Sequence, residues 1–281
     1  MKLIIIKDLK IITAFLTRIP VKIDIKDYNE IARKMWLFPF IGWLIGIITG
    51  LIGLLFFQFI PNLIVGFLVL GFLIYITGAH HLDGLFDFGD GIMVHGSPEK
   101  KIKVMHDVAI GAGGMALGFI VLSLTGISIS FLNQRLIIYL ITAEVGAKFA
   151  MVLVCSFGKS VQTKMAEPFL RLNKFKHAML SYFLSIILIS SSALLLNILN
   201  EINVLQINPD IITGLEGFSY SEIPILIIIF SVLTSLSGLL MIIISKKHFN
   251  GITGDCLGAL NEITRMLLLL SFMLVENLSI L

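Results

Sequence analysis

Residues 36–58 read WLFPFIGWLIGIITGLIGLLFFQ, 23 positions without a charged side chain. A helix rises 1.5 Å per residue, so about 20 apolar residues cross a hydrocarbon core about 30 Å thick. This stretch is long enough, and it sets the reading of the rest. Six further apolar runs lie near 63–79, 109–131, 137–157, 178–199, 223–245 and 264–281. The expected fold is therefore all-α: a polytopic membrane helix bundle of about seven transmembrane helices, in a single integral-membrane domain over 1–281. Composition agrees. The chain is 57% apolar and 14% charged, with a mean hydropathy of +0.99, where a soluble domain carries about 25% charged residues. That shortfall excludes a soluble enzyme and a disordered chain. A net charge of +3 is too small to draw a polyanion. The expected partner is the lipid bilayer, and no nucleic acid.

The polar segments between the runs sort by charge. Residues 1–35 carry eight Lys and Arg, 80–108 three, 158–177 five and 246–265 three, which puts 19 of 21 on one side of a seven-helix alternation. The 200–222 segment has none, and four acids. Basic loops stay in the cytoplasm. The N-terminus is therefore expected inside, in a multi-pass protein of the cell (plasma) membrane. Lys7, Asp8 and Lys10 interrupt the first apolar residues too early for a signal peptide; an interfacial helix over 1–16 fits better. Cys155 lies in an apolar run and Cys256 among glycines, so no disulfide is expected.

Chemistry has few places to sit. The densest is HHLDGLFDFGDG at 80–91, at the cytoplasmic end of the second run. If the helix continues, Asp83, Asp87 and Asp90 stand at i, i+4 and i+7, within about 60° of one another. Three carboxylates on one stripe repel, and a divalent cation resolves the conflict. Hard oxygen ligands select Mg²⁺ or Mn²⁺, with substrate phosphate completing the shell. Gly84 and Gly91 beside the stripe would admit a phosphate to the backbone. A solvated acidic helix end is the plainer alternative, and the cost of acids at membrane depth weighs against it. His80 lies nearer the acids than His81 on an ideal wheel; each is either a bystander or a base.

The stretch MHDVAIGAGG at 105–114 follows. Asp107 suits catalysis or an N-cap on the third membrane helix, and the two roles are compatible. Gly114 and Gly118 have the spacing of a close helix contact. Lys100, Lys101 and Lys103 would meet phosphate or anionic lipid. A third stretch, HFNGITGDCLGALNE at 248–262, sets Asp255 and Glu262 at i, i+7 with Asn261 adjacent. That pattern suits a ribose, a nucleotide or a second metal position; a polar loop is the alternative. Active-site loops are thus expected at about 80–108 and 246–263. Glu144 and Lys148, at i, i+4 inside the fourth run, must face the bundle interior as an ion pair or a substrate contact. Arg18 reads as an interfacial anchor, and Gly42, Gly46 and Gly50 as a packing stripe. Serine-nucleophile, P-loop and zinc motifs are absent from the sequence.

Together these stretches resemble the cobalamin (5′-phosphate) synthase family, also termed adenosylcobinamide-GDP ribazoletransferase. The matching residues are FLTRIP at 15–20, LFPFIG at 37–42, HLDGLFD at 81–87 with Asp90 and Gly91, MHDVAIG at 105–111 and GITGDCLGALNE at 251–262, in the family's order and spacing. The resemblance implies a Mg²⁺-dependent membrane transferase in the final stage of cobalamin biosynthesis. Such an enzyme joins α-ribazole, or its 5′-phosphate, to adenosylcobinamide-GDP and releases GMP. The family's acids fall on Asp83, Asp87, Asp90, Asp107 and Asp255, and its histidine on His81 rather than His80. We expect Asp83, Asp87, Asp90 and Asp255 to hold metal and Asp107 and His81 to serve catalysis. Arg18, Lys103, Lys148, Thr253, Asn261 and Glu262 are the expected substrate contacts. A homo-oligomer is compatible with all of this. The chain departs from the family at Val108, where a basic residue is usual, and at Lys148, where Arg is common. The alternatives are another membrane transferase acting on a diphosphate, such as a CDP-alcohol phosphotransferase, whose motif spacing differs, and a cation transporter, which would carry acids at mid-membrane on broken helices.

Overall fold

The computed structural model describes residues 2–23, 27–132, 135–161, 165–201 and 220–279. Among the described residues there are twelve α-helices and no strand. They are α1 (Lys2–Leu16), α2 (Tyr28–Ala32), α3 (Phe38–Phe57), α4 (Asn62–Thr77), α5 (His80–Met93) and α6 (Pro98–Met105). The second half holds α7 (Ala112–Phe131), α8 (Leu136–Phe157), α9 (Glu167–Leu172), α10 (Phe175–Glu201), α11 (Ile223–Phe249) and α12 (Gly254–Ser279). Six helices are long and apolar enough to cross a membrane: α3, α7, α8, α10, α11 and α12. A seventh candidate is the pair α4 and α5, bent by 98°. The expected helix bundle is present, with the second run broken near its end.

The break has a backbone cause. Gly78 (φ 70°) and Ala79 (φ 61°) are both left-handed, and two such residues in succession end α4 and redirect the chain. Glycine takes that conformation freely, whereas alanine is strained in it. α5, which carries three aspartates and two histidines, therefore leaves the direction of α4 almost at a right angle. It packs between α7 and α12.

α8 is the hub: α3, α10, α11 and α12 all pack on it, and nearly all of its residues are buried. The glycine stripe on α3 explains the closest of these contacts. A Cβ added at Gly46 would lie 2.5 Å from Ile141 Cα, and one at Gly50 would lie 3.0 Å from Ile137 Cα. The backbones touch because no side chain intervenes. Leu63, Phe67, Phe119, Ile228 and Leu239 point outward and are exposed. Exposed large apolar side chains like these recur along α3, α4, α7, α10 and α11, as a lipid-facing bundle requires.

Several expectations are revised here. The 246–263 segment is mostly helix, not loop. α11 ends at Asn250 (φ 62°), and α12 starts at once because the Thr253 hydroxyl accepts the Cys256 N–H at 3.2 Å, an N-cap. The short turn between them is pinned by a parallel bridge from Ile252 to Ser160. Likewise 80–108 holds α5 and α6 and leaves short connections. α1 is a helix as expected, but its Ile11, Ile12 and Leu16 are buried in the bundle. Cys155 and Cys256 are free and buried. Most of the acidic 200–222 segment, with Asp210 and Glu216, lies outside the described residues, as do Lys26 and Lys164.

Candidate active site

α5 and α12 cross at their N-terminal turns, and the crossing is glycine on both sides. A Cβ added at Gly84 would stand 3.0 Å from Asp255 Cα and 3.2 Å from Gly258 Cα. The contact brings the neighbouring Asp83 into one cavity with Asp255, about 570 Å³ in volume. His80, His81, Gly254 and Gly258 line the same part of it, and Phe15, Tyr28, Phe38 and Phe169 another. Gly84 is therefore occupied by helix packing, not left open to phosphate. So is Gly91, whose added Cβ would meet Met105 Sδ at 2.8 Å and the Phe249 ring at 3.0 Å.

The three aspartates of α5 do share one helix, but their surroundings differ. Asp83 is exposed, Asp87 half-buried and Asp90 buried. Burial first, and then the charges of Asp255, Asp83 and Asp90, push the Asp87 carboxyl up to about 7. That is the signature of like charges crowded in a half-dry place. Asp90 is answered differently. Its Oδ2 accepts the Gly111 N–H at 2.7 Å, and its Oδ1 accepts the Gly114 N–H at 2.8 Å. It caps α7 from a neighbouring helix, one of the two roles read for Asp107. Asp107 instead is exposed, stands four residues before the α7 cap position Gly111, and accepts the Ala109 N–H at 3.4 Å.

Among the described residues, no three His, Cys, Asp or Glu side chains converge as an all-protein metal cage. Mg²⁺ does not require one. It is usually held by one or two carboxylates with water and substrate phosphates, and the crowded pair Asp83 and Asp87, facing Asp255, fits that mode.

The expected substrate contacts divide. Arg18 is exposed and sits at the α4–α5 elbow, its guanidinium 5.7 Å from the Tyr75 ring centroid and its stem against Gly78. Lys103 is exposed on α6. Neither lines the cavity, and nor does Asp107. Thr253, while capping α12, also lies 3.3 Å from Asp255 Oδ2, so its hydroxyl orients that carboxylate.

Lys148, Asn261 and Glu262 are 0–3% exposed and bind one another rather than the cavity. Lys148 Nζ donates to Asn261 Oδ1 at 2.6 Å and lies 3.6 Å from Glu144 Oε2. Asn261 Nδ2 donates to Glu262 Oε1 at 3.0 Å. Arg265 closes the cluster by pairing with both Glu144 and Glu262. Two cations face two anions, so the cluster is neutral. Arg265, expected among the cytoplasmic bases, is instead 1% exposed inside the bundle. It lies 11 residues into α12, roughly 16 Å along the helix. The i, i+3 spacing of Glu262 and Arg265, echoing Glu144 and Lys148, was the available signal.

His81 joins this cluster to the cavity. It lines the cavity, is 7% exposed, and its Nδ1 has no partner among the described residues.

The chain matches the family model described as Cobalamin-5-phosphate synthase over residues 8–273. It is 32% identical over 269 residues to an adenosylcobinamide-GDP ribazoletransferase of Methanocella arvoryzae, covering 93% of this chain and 93% of that protein. Over 265 residues it is 32% identical to the Pyrococcus abyssi protein of the same name, covering 94% and 97%. With the one from Methanococcoides burtonii it shares 30% over 267 residues, covering 91% and 88%. No solved structure matches it.

Proposed function

The chain belongs to the cobalamin-5-phosphate synthase family, and from that premise we propose that it transfers the adenosylcobinamide phosphate of adenosylcobinamide-GDP to α-ribazole or α-ribazole 5′-phosphate, releasing GMP. The observation that carries this reading is the meeting of two family-matching stretches in one cavity. HLDGLFD contributes Asp83 from the start of α5, and GITGDCLGALNE contributes Asp255 from the start of α12.

Helix N-termini present unpaired N–H groups that attract phosphate. α5 begins without a side-chain cap, so no side chain of its own cap residue competes with a diphosphate for its first N–H groups. A ribose hydroxyl attacks the phosphorus next to the cobinamide. The new P–O bond forms as the P–O bond to GMP breaks, and the electron pair stays on the oxygen leaving with GMP. We assign the departing hydroxyl proton to Asp255, which lines the cavity and is oriented by Thr253. Asp83 and Asp87 are the carboxylates that would hold Mg²⁺, which when bound supplies neutralisation of the charge growing on the leaving phosphate.

We assign the N-terminus and the cavity to the cytoplasmic side of the plasma membrane. The support is the basic bias, which with Arg265 moved into the bundle still comprises 18 of the 21 Lys and Arg. A broken, acid-bearing helix is also a transporter feature. Here Asp83 and Asp255 stand at helix starts beside the basic segments, which favours transfer chemistry.

The test is GMP release by the purified full chain given adenosylcobinamide-GDP, α-ribazole and Mg²⁺. Release should require both substrates, stop on chelation and return with Mg²⁺. Absence of GMP refutes the transfer, and release that survives chelation refutes the metal.

A further inference from the structure

The cavity holding Asp83 and Asp255 has two ends of different chemistry. One is acidic and glycine-floored. The other presents Phe15 and Tyr28 over a buried floor of Phe38, Phe169, Met35 and Met151, each 5% exposed or less. Phe15 stacks on Phe169 with ring centroids 5.5 Å apart and meets Tyr28 edge-on at 6.4 Å. Such rings and thioethers favour a flat, apolar ring.

We propose that this aromatic end is the subsite for the base of the nucleoside acceptor, so that its ribose is delivered to Asp83 and Asp255. The inference rests on the transferase reading above.

Size and polarity select this occupant. A cavity of about 570 Å³ is in the range of roughly 300–1,000 Å³ that takes drug-sized ligands. A nucleoside fits whole. A corrin macrocycle joined to a guanosine diphosphate does not, so the donor presents its diphosphate from outside, at the acidic end. Two bases then compete for the aromatic end. Guanine carries donors and acceptors along its edge, and these need polar partners when buried. Two polar groups of this lining are committed within the protein. Asp27 Oδ1 accepts from the Asn29 backbone at 2.9 Å and from its side chain at 2.7 Å. The Thr77 hydroxyl donates to Leu73 O at 2.8 Å. The dimethylated benzimidazole of α-ribazole offers two methyl groups and one free ring nitrogen, and matches such walls.

The experiment compares Tyr28→Ala and Phe169→Leu with the wild-type full chain. Tyr28 is 44% exposed, so its loss leaves the core intact; leucine at 169 keeps the site apolar. The KM for α-ribazole should rise about tenfold, the loss of one ring contact, while that for adenosylcobinamide-GDP stays within about twofold. A rise in the KM for adenosylcobinamide-GDP alone assigns the subsite to guanine and overturns the proposal; two unchanged constants overturn it as well. Calorimetry on the wild-type chain without donor answers the same question free of any folding effect. α-Ribazole should bind and guanosine should not displace it; displacement by guanosine overturns the assignment. Wild-type protein that releases no GMP signals failure of the transferase reading itself, whereas a misassigned subsite leaves wild-type turnover intact.

Discussion

Arg265→Met tests how charge is held inside the bundle. Glu144, Lys148, Glu262 and Arg265 are 0%, 0%, 3% and 1% exposed. Removing the arginine leaves Glu144 and Glu262 with a single cation, Lys148, and so one uncompensated buried charge. Breaking a buried pair in this way costs about 3–5 kcal/mol, while methionine retains much of the packing of the arginine stem. At roughly 2–4 °C per kcal/mol for a chain of this size, Tm should fall by about 6–20 °C. The assay is built into the protein. Cys155 and Cys256 are both 0% exposed, so a thiol-reactive fluorophore labels them as the chain unfolds, and a thermal ramp in detergent reads Tm. The double variant Arg265→Met with Glu262→Met leaves Glu144 paired with Lys148, and should recover most of the loss. A single variant within about 2 °C of wild type, where 1 kcal/mol would already shift Tm by that much, refutes the charge argument. A double variant no better than the single shows that volume, not charge, was lost.

Three further predictions concern the site. Asp83→Asn should abolish GMP release while membrane insertion and Tm hold; normal turnover would remove Asp83 from the reaction. Asp90→Asn keeps one acceptor oxygen and leaves one of the Gly111 and Gly114 N–H groups unpaired, costing about 1 kcal/mol and a few degrees of Tm with turnover largely kept. Lost turnover at unchanged Tm would instead make Asp90 a ligand. Gly84→Ala forces a Cβ to within 3.0–3.2 Å of the backbone of Asp255 and Gly258, so α5 and α12 must part by a few tenths of an ångström. Displacement at a reacting centre is costly, with about 1 Å worth a hundredfold; turnover should fall severalfold, and full activity would show that the acids do not act across this crossing.

The spans were legible because each needs its own run of apolar residues, and that requirement is local. The break at Gly78 and Ala79 was not, since hydropathy carries no information about φ and both residues suit an apolar run. The start of α12 was read about ten residues late for a related reason. Residues 248–262 are polar and glycine-rich, which resembles a loop. Their polarity is instead matched from another helix, with Lys148 of α8 bonded to Asn261. The α5 acids were found because i, i+4, i+7 spacing on one helix is also local. Which of them would meet the amides of α7 was not, because Gly111 and Gly114 reach Asp90 through the tertiary fold.

Depth in the membrane alone does not mark an ionisable residue as catalytic here. Glu144, Lys148, Glu262 and Arg265 are the most deeply buried charges described, and they cancel. A neutral cluster has no unmet electrostatic demand for a ligand to satisfy, and its expected role is to hold α8 against α12. Asp83, Asp87, Asp90 and Asp255 lie nearer the surface and share one sign. The Asp90 charge is met by two amide donors. The Asp87 carboxyl, half-buried and crowded by Asp255, Asp83 and Asp90, is driven up to about 7 by burial first and by those charges second. Such crowding persists only if the rest of the fold enforces it, here through the Gly84–Gly258 crossing and the strained elbow at Ala79. Like charge held together by rigid packing, rather than depth alone, is what separates the acids we assign to the reaction from the structural ones.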